Sequence, residues 1–391
     1  MAKTKEVIDY DARLLELDKK YSTKNLELSY EAYKARRVYS TGSLAVDVAT
    51  GAIDPLYGNG GIMAGDSAEL YGFNQSLKTA MAHHVALSVQ KDSGDNLSLI
   101  VAPELQNPKM MENIGLDLTD NKIRILDCTH DDINSRLALA EYQLDAALEY
   151  AKDPRMKLLI IDSLAALIPE GQIYDDKGKE KSMDASVAMA IRARLITSFI
   201  TRFNRLGYNK PTLLMINHFK VPLRTSTFNI PVGESIREAT PGGTGKDFLT
   251  ELRIKCVTKP LAFTHPLLGT KMSDGYEGIF KLGRNRYGNT TNNRSVSSEF
   301  SFEKWVDENS NPRQGRFRNE VTALVWGEFL ELIEKNGTMY TIGTEKVRGK
   351  DAALECLRNN KEVCNEVAKQ IVLNGERFFE AGRESSAAVL D

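Results

Sequence analysis

Residues 72–79 combine the residue types that bind phosphate. In order they are Gly72, Phe73, Asn74, Gln75, Ser76, Leu77, Lys78 and Thr79, and they lie between an apolar run and a stretch with helical periodicity. In a phosphate-binding loop, backbone N–H groups at a helix N-terminus surround the phosphates, a lysine reaches the β- and γ-oxygens, and a threonine hydroxyl coordinates Mg²⁺. Leu77 stands where the G-x-x-x-x-G-K-[ST] pattern has its second glycine, so its β-carbon is expected to strain the loop or press it against the nucleotide. The pattern predicts a nucleotide site, with a chance strand-turn-helix as the alternative.

Three later apolar runs each end in a polar side chain that suits phosphate chemistry, namely Glu104, Asp162 and His218. Because the C-terminal ends of parallel strands meet at one crevice, we expect these side chains to lie beside Lys78 and Thr79. Asp162 would then hold Mg²⁺ together with Thr79. Glu104 would orient or deprotonate the attacking water, and His218 would sense the γ-phosphate. Two alternatives stay open, because Asp162 could only cap a helix and His218 could be a buried side chain bonded to a backbone carbonyl.

The elements that must position these residues follow an alternating pattern. Short apolar runs predict strands at 68–71, 97–101, 122–126, 158–161 and 212–216, and helical periodicity predicts helices at 78–89, 133–151, 185–206 and 320–335. This alternation is typical of an α/β fold with a mainly parallel central sheet. We expect an N-terminal helical arm at 1–38, a core at 39–300 and a small α+β domain at 301–391.

Two polar stretches, 171–183 and 219–244, are too long for ordinary connections, whose usual length is about 2 to 6 residues. Their length therefore indicates functional loops. Between them, residues 191–210 contain no acidic residue but five basic ones, Arg192, Arg194, Arg202, Arg205 and Lys210. Such a cluster suits the phosphates of a nucleic acid, although basic residues also commonly solvate a helix face.

The composition excludes several classes of protein. The 391-residue chain has 51 Lys and Arg against 53 Asp and Glu, so its net charge of −2 argues against a uniformly basic nucleic-acid-binding surface. The first 20 residues lack the apolar core of a signal peptide, and the apolar run at 158–168 is shorter than the roughly 20 residues that span a bilayer. The four cysteines form no CxxC pair and the five histidines are scattered, which argues against structural zinc. We expect a cytoplasmic protein with no membrane partner.

Five segments together resemble the RecA-type recombinases. They are 39–47 (YSTGSLAVD), 72–79, 161–169 (IDSLAALIP), 215–218 (MINH) and 240–245 (TPGGTG). Their order and spacing are similar to those of that family from about residue 39 to residue 369. The bulky apolar residue before Lys78 and the histidine at position 218 resemble the UvsX-like recombinases of large tailed bacteriophages, whereas 337–340 and 349–351 resemble bacterial RecA.

The resemblance implies roles for further residues. It implies a RecA-type P-loop ATPase core in which 171–183 and 219–244 are the two DNA-binding loops. The DNA-binding residues implied are Lys179, Lys181, Met183, Arg192, Arg194, Lys220, Arg224, Phe228, Gly242 and Gly243. Arg284 and Arg286 would reach across a subunit interface to the neighbouring ATP as catalytic residues, and Phe248 would be an interface aromatic. Residues 14–17 would dock on the adjacent subunit, and Met110, near the adenine position, would relax base selectivity.

The implied function is that of an ATP- and Mg²⁺-dependent recombinase. It would form helical filaments on single-stranded DNA, pair that strand with homologous double-stranded DNA, and exchange strands in recombination and repair. Single-strand-binding and loader proteins are the expected partners besides DNA and further copies of the chain. Two alternatives are an ATP-gated structural or regulatory filament with weak or no hydrolysis, and a RecA-fold helicase-type motor.

Overall fold

The computed structural model describes residues 19–20, 26–92, 94–119, 121–127, 138–175, 177–181, 188–207, 209–219, 240–264, 271–287, 294–307 and 309–380. The strands are β1 Val38–Tyr39, β2 Ile62–Met63, β3 Ser67–Gly72, β4 Leu97–Ala102, β5 Ile123–Asp127, β6 Met156–Ile161, β7 Thr212–His218, β8 Leu252–Thr264, β9 Lys271–Asn285, β10 Ser295–Val306, β11 Pro312–Phe317, β12 Glu334–Asn336, β13 Met339–Ile342 and β14 Glu345–Arg348. The helices are α1 Leu26–Lys34, α2 Leu44–Thr50, α3 Lys78–Lys91, α4 Pro108–Ile114, α5 Ala140–Tyr150, α6 Glu170–Ile173, α7 Ala188–Asn204, α8 Gly243–Leu249, α9 Asn319–Phe329, α10 Lys350–Asn359 and α11 Lys361–Asn374.

A nine-stranded sheet forms the centre of the molecule, in the order β11-β10-β9-β8-β3-β7-β6-β4-β5. All neighbouring pairs from β8 to β5 are parallel, and β9, β10 and β11 extend the sheet in antiparallel fashion. Strand β3 lies inside the sheet, where Leu70 pairs with Ile216 of β7 and Ile254 of β8. The predicted α/β class with a mainly parallel sheet is confirmed, and each of the five predicted strands overlaps one of β3 to β7.

The central strands read as nearly continuous apolar runs because helices cover both faces of the sheet. Along β6, Leu158 and Ile160 face one core together with α3, whereas Leu159 and Ile161 face a second core together with α5 and α7. Alternate residues of a strand point to opposite faces, so one run of apolar residues supplies both cores. This burial holds the strand ends, and the side chains that follow them, in fixed positions.

The predicted helix at 320–335 is wrong in its second half. Helix α9 ends at Phe329, and Glu331 adopts a positive φ of 60°. The N–H groups of Leu332 and Ile333 both donate to the Gly327 carbonyl, which closes the helix end before β12 begins. The apolar residues after Phe329 continue the helical period, but Ile333 packs back against Gly327 rather than extending the helix.

The other predicted helices agree with the structure where it describes them. Helix α3 extends the predicted 78–89 to Lys91, α7 covers most of 185–206, and α5 covers most of the described part of 133–151. Residues 14–17 lie outside the described residues. None of the helices in the described ranges is long and apolar enough to cross a membrane.

The division into three domains stays a prediction. The expected boundary between residues 300 and 301 falls inside β10, and β11 pairs with β10 in the central sheet. After β11 come α9, the antiparallel three-stranded sheet β12-β13-β14, and helices α10 and α11. These helices and the three-stranded sheet all follow Phe317 in the chain.

Candidate functional site

The segment between β3 and α3 wraps around the lysine that ends it. The Lys78 Nζ donates to the Phe73 carbonyl at 2.6 Å, to the Ser76 Oγ at 3.0 Å and to the Gly72 carbonyl at 3.3 Å. Burial lowers the pKa of Lys78. A Cβ at Gly72 would lie 2.2 Å from the backbone oxygen of Cys256 in β8, so only glycine fits where β3 ends. The predicted loop therefore has its lysine held among oxygen atoms at the start of a 14-residue helix.

Leu77 occupies the N-cap of α3 with a φ of 64° and a ψ of 10°. This left-handed conformation favours glycine and costs a residue with a β-carbon about 1–2 kcal/mol. The Leu77 side chain is nevertheless 8% exposed and belongs to the larger apolar core. The predicted strain is thus present in the backbone, and the side chain packs into the protein rather than toward the mouth of the loop.

Asp162, directly after β6, lies beside Thr79 in the first turn of α3. The Thr79 Oγ1 donates to the Asp162 Oδ2 at 2.9 Å, and burial raises the pKa of Asp162. A hydroxyl and a single carboxylate are hard oxygen donors, and Mg²⁺ commonly binds one or two carboxylates together with substrate phosphates and water. The two side chains therefore fit Mg²⁺ that arrives with a nucleotide. The described residues contain no cluster of three or more His, Cys, Asp or Glu that could hold a metal without such a ligand.

Glu104 follows β4, His218 is the last residue of β7, and the two side chains face each other. The His218 Nε2 lies 3.7 Å from the Glu104 Oε1, and the Ser163 hydroxyl donates to the same carboxylate oxygen. The nearby imidazole of His218 lowers the pKa of Glu104. The side chain of Glu104 is 46% exposed and that of His218 is 28% exposed, so water reaches both. An ionised, solvent-accessible carboxylate of this kind can orient a water molecule or accept its proton.

Four adjacent strands, β3, β7, β6 and β4, thus bring together the five residues predicted to share one crevice. His218 pairs with Gly72 in the register between β7 and β3, so the predicted sensor lies at the start of the loop. Within the described residues, the side chain of Asp162 contacts Thr79 and Gln106, and the side chain of His218 contacts Glu104. These contacts do not support the alternatives in which Asp162 only caps a helix and His218 bonds to a backbone carbonyl.

Arg284, Arg286 and Phe248 form a second group. The Arg284 Nη1 donates to the Asp247 carbonyl at 3.0 Å, and the Arg286 Nη2 donates to the Phe248 carbonyl at 3.4 Å. Both arginines therefore contact α8 of their own chain rather than Lys78 or Glu104. The Phe248 side chain is 68% exposed beside them, so the group presents an aromatic ring and two guanidinium groups at the surface.

The predicted DNA-binding residues separate into several places. In the first loop the Lys179 backbone N–H donates to the Asp175 carboxylate at 2.9 Å, and the Lys181 Nζ donates to the Gly171 carbonyl at 2.7 Å. Arg192 donates to the Gln172 Oε1 at 3.3 Å, which ties α7 to this loop. Four further predicted residues lie outside the described ranges: Met183, Lys220, Arg224 and Phe228.

A basic groove runs between α7 and α8. We define it by Arg194 and Arg202 on α7, by Arg205 just after that helix, and by the first turn of α8, and its volume is about 620 Å³. Gly242 and Gly243 lead into this turn with positive φ values of 106° and 72°. A Cβ at Gly243 would lie 2.9 Å from the Ala193 Cβ, so the glycines allow α8 to approach α7. The predicted arginine cluster and the predicted glycine pair thus form two walls of one groove, with Arg194 exposed.

Sequence reasoning missed two sets of residues around the site. Gln106 donates to the Asp162 Oδ2 at 3.4 Å and lies beside His83, which is 2% exposed. Glu69 and Lys246, both fully buried, form an ion pair beneath the loop. A glutamate inside a strand predicted to be buried on both faces was a usable signal, because a buried carboxylate requires a partner charge. Nothing in the sequence pattern identifies that partner.

Comparison with known proteins agrees with this geometry. A family model described as the RecA N-terminal domain matches residues 9–262. Protein RecA of Mesomycoplasma hyopneumoniae is 26% identical over 362 residues, which cover 92% of each chain. Protein RecA of Saccharopolyspora erythraea is 26% identical over 361 residues, covering 92% of this chain and 90% of its own. DNA repair protein recA homolog 3, mitochondrial, of Arabidopsis thaliana is 25% identical over 335 residues, covering 85% of this chain and 67% of its own. The similarity to phage recombinases stays a prediction.

Proposed function

The chain belongs to the RecA family, and on that premise we propose that it is an ATP-dependent recombinase that acts in DNA recombination and repair. The observation that carries the proposal is the convergence of Lys78, Thr79, Asp162, Glu104 and His218 at the ends of four adjacent strands. Family membership alone does not require this arrangement in a chain about 25% identical to its relatives. A chain that had lost the chemistry would have no physical reason to keep two carboxylates and a buried lysine together.

Each residue at the crevice has a role in nucleotide hydrolysis. Residues 72–79 would surround the phosphates, with Lys78 neutralising charge on the β- and γ-oxygens. Thr79 and Asp162 would hold Mg²⁺, which supplies electrostatic stabilisation of the phosphate oxygens when bound. Glu104 would position the attacking water and accept its proton, since its lowered pKa keeps it ionised at neutral pH. His218, in contact with Glu104, would respond to the γ-phosphate at the start of the second DNA loop.

The basic groove suits the backbone of single-stranded DNA. Its arginines supply charge without a pattern of base-reading groups, which fits a protein that binds any sequence. A groove of this kind on each subunit would become continuous once copies assemble, which explains how a chain with a net charge of −2 can bind a polyanion. We also propose that the protein pairs the bound strand with homologous double-stranded DNA and acts together with single-strand-binding and loader proteins.

Assembly would use the group around Phe248. An exposed aromatic ring flanked by Arg284 and Arg286 has the character of an interface core, where aromatic and arginine side chains dominate binding energy. In an assembled filament the two arginines would leave the α8 carbonyls and reach the phosphates of the neighbouring subunit. Hydrolysis would then depend on neighbouring subunits as well as on DNA.

An ATPase assay with and without single-stranded DNA tests the proposal. The wild-type rate should rise with DNA, and Lys78→Ala should lower it by about 100-fold because the charge on the phosphate oxygens is no longer neutralised. Lys91→Ala, at the exposed far end of the same helix, is the matched control and should leave the rate unchanged. A rate that ignores both DNA and Lys78→Ala would overturn the proposal.

Two further outcomes would select the alternatives. ATP binding without hydrolysis would favour a structural or regulatory filament, and the strained backbone at Leu77 is the observation that would then account for it. Electron micrographs with single-stranded DNA and an ATP analogue should show helical filaments. Closed rings in their place would favour the helicase-type motor.

A further inference from the structure

The ion pair between Glu69 and Lys246 lies at the centre of the fold. The Lys246 Nζ is 2.5 Å from the Glu69 Oε1, and both side chains are 0% exposed. Burial alone would raise the pKa of Glu69, but the charges of Lys246 and Arg253 hold it below its ordinary value. Glu69 is in β3, three residues before the loop that contains Lys78, and Lys246 is in α8. The pair therefore joins the strand that leads into the nucleotide site to the helix that lines the basic groove.

Further hydrogen bonds extend the pair to both edges of the second loop. The Asn217 Nδ2 donates to the Glu69 Oε1 at 2.7 Å and to the Pro241 carbonyl at 2.8 Å. The Lys246 Nζ also donates to the Thr240 Oγ1 at 3.0 Å. Asn217, the residue before His218, therefore contacts the carboxylate directly, and the residues before α8 are linked to it through Asn217 and Lys246.

The lysine stem also supports the first turn of α8 directly. A Cβ at Gly242 would lie 2.9 Å from the Lys246 Cε, so the aliphatic part of Lys246 packs under the turn that begins the helix. That turn forms one wall of the basic groove. Moving Lys246 would therefore move the Gly243 side of the groove relative to the arginines of α7.

A buried ion pair is weak support for a purely stabilising role. Removing two charges from water costs several kcal/mol per ion, and apolar side chains of similar volume often stabilise a core equally well. What a buried pair with several hydrogen bonds does provide is a single defined geometry. This distinction favours a positional role for Lys246.

We propose that Lys246, through its buried pair with Glu69, is a positioning residue that holds the α8 wall of the basic groove in the geometry that binds DNA. The inference rests on the proposed function, because it concerns the DNA-binding groove of that function. Lys246 is 0% exposed and does not contact DNA itself. It acts by keeping the groove walls in place, so that less conformational entropy is lost when DNA binds.

The test compares Lys246→Met with wild type. Binding of a fluorescent oligothymidylate is measured by anisotropy at several salt concentrations, and binding of a fluorescent ATP analogue is measured in parallel. We expect DNA affinity to fall about tenfold, because several side chains of the groove would have to be ordered at the moment DNA binds. The slope of log affinity against log salt should stay unchanged, whereas loss of a lysine that contacts phosphate would reduce it by about one. Nucleotide affinity should also stay unchanged.

Two companion variants make the result interpretable. Glu69→Gln keeps the shape and the hydrogen-bonding oxygen but removes the charge, so it should give a smaller loss of the same kind and serves if Lys246→Met does not fold. Arg294→Met removes a buried guanidinium from a different ion pair, with Glu376, and should lower the thermal midpoint without weakening DNA binding.

Each contrary outcome has a separate meaning. If Lys246→Met keeps wild-type DNA affinity and its thermal midpoint falls as in Arg294→Met, Lys246 has only a structural role. That result would overturn the inference but leave the proposed function intact. A salt slope reduced by about one would overturn it in favour of direct phosphate contact. Absence of salt-dependent DNA binding by the wild-type protein would overturn the proposed function and the inference with it.

Discussion

Replacement of Leu77 by glycine and by alanine should reverse the usual order of stability. Glycine is ordinarily the less stable of the two by about 0.5–1 kcal/mol, because it loses more backbone entropy on folding. At Leu77 the φ of 64° costs a residue with a β-carbon about 1–2 kcal/mol, and glycine does not incur this cost. Subtracting the entropy difference leaves the glycine variant about 1 kcal/mol more stable than the alanine variant.

Both variants should be less stable than the wild type. The Leu77 side chain is 8% exposed and belongs to the larger apolar core, and shortening a buried leucine to alanine costs about 2–5 kcal/mol. With a value of about 3 kcal/mol for alanine, glycine should lie about 2 kcal/mol below wild type. The expected order is therefore leucine, glycine, alanine.

Thermal unfolding of the three proteins at one concentration measures this order. For a chain of this size, 1 kcal/mol corresponds to roughly 2 °C in the midpoint, so the glycine variant should unfold about 2 °C above the alanine variant. Leu70, fully buried in β3 without a positive φ, is the matched position where alanine should be the more stable. An alanine variant at position 77 that unfolds at or above the glycine variant would refute the strain at Leu77.

Three further predictions concern single residues. Gln106→Leu should raise the Mg²⁺ concentration for half-maximal nucleotide binding by about tenfold, because a hydrogen bond that orients Asp162 is lost. Titration of a fluorescent nucleotide with Mg²⁺ measures this concentration, and an unchanged value would contradict the prediction. Burial lowers the pKa of His83 to about 4, so as the pH falls below 6.5 the unfolded chain binds a proton before the folded protein does. The free energy of unfolding should therefore drop by roughly 3 kcal/mol between pH 6.5 and 4. His83→Leu should flatten this part of the pH dependence in urea unfolding, and an equally steep slope in the variant would argue against a neutral buried imidazole. Phe248→Ala should shorten assemblies in sedimentation while leaving the thermal midpoint within about 1 °C, since the ring is 68% exposed; unchanged sedimentation would remove Phe248 from the interface.

Local patterns were sufficient to predict five of the nine strands of the central sheet and the crevice at their ends. Apolar runs bounded by polar side chains identify β3, β4, β6 and β7, because strands buried on both faces must be apolar almost throughout. The edge strand β5 was also found, although it is mostly exposed. The rule that parallel strands end at one edge then places Lys78, Asp162 and Glu104 together without any knowledge of contacts. The position of Leu77 in the loop pattern likewise predicts its strained backbone, since the strain depends on local dihedral angles alone.

What the sequence could not supply depends on contacts between residues far apart in the chain. Glu69 and Lys246 are 177 residues apart, and no periodicity relates a strand position to a helix that follows a long loop. The basic groove has the same origin, because the arginines of α7 meet the first turn of α8 only after both helices pack on the sheet. The end of α9 at Phe329 was also missed, since the helical period continues past it and only the packing of Ile333 against Gly327 ends the helix. The sequence alone determines which side chains can do chemistry and which strands present them. Which residues pair with the buried charges is decided by tertiary packing, because many residues in the chain are chemically equivalent partners.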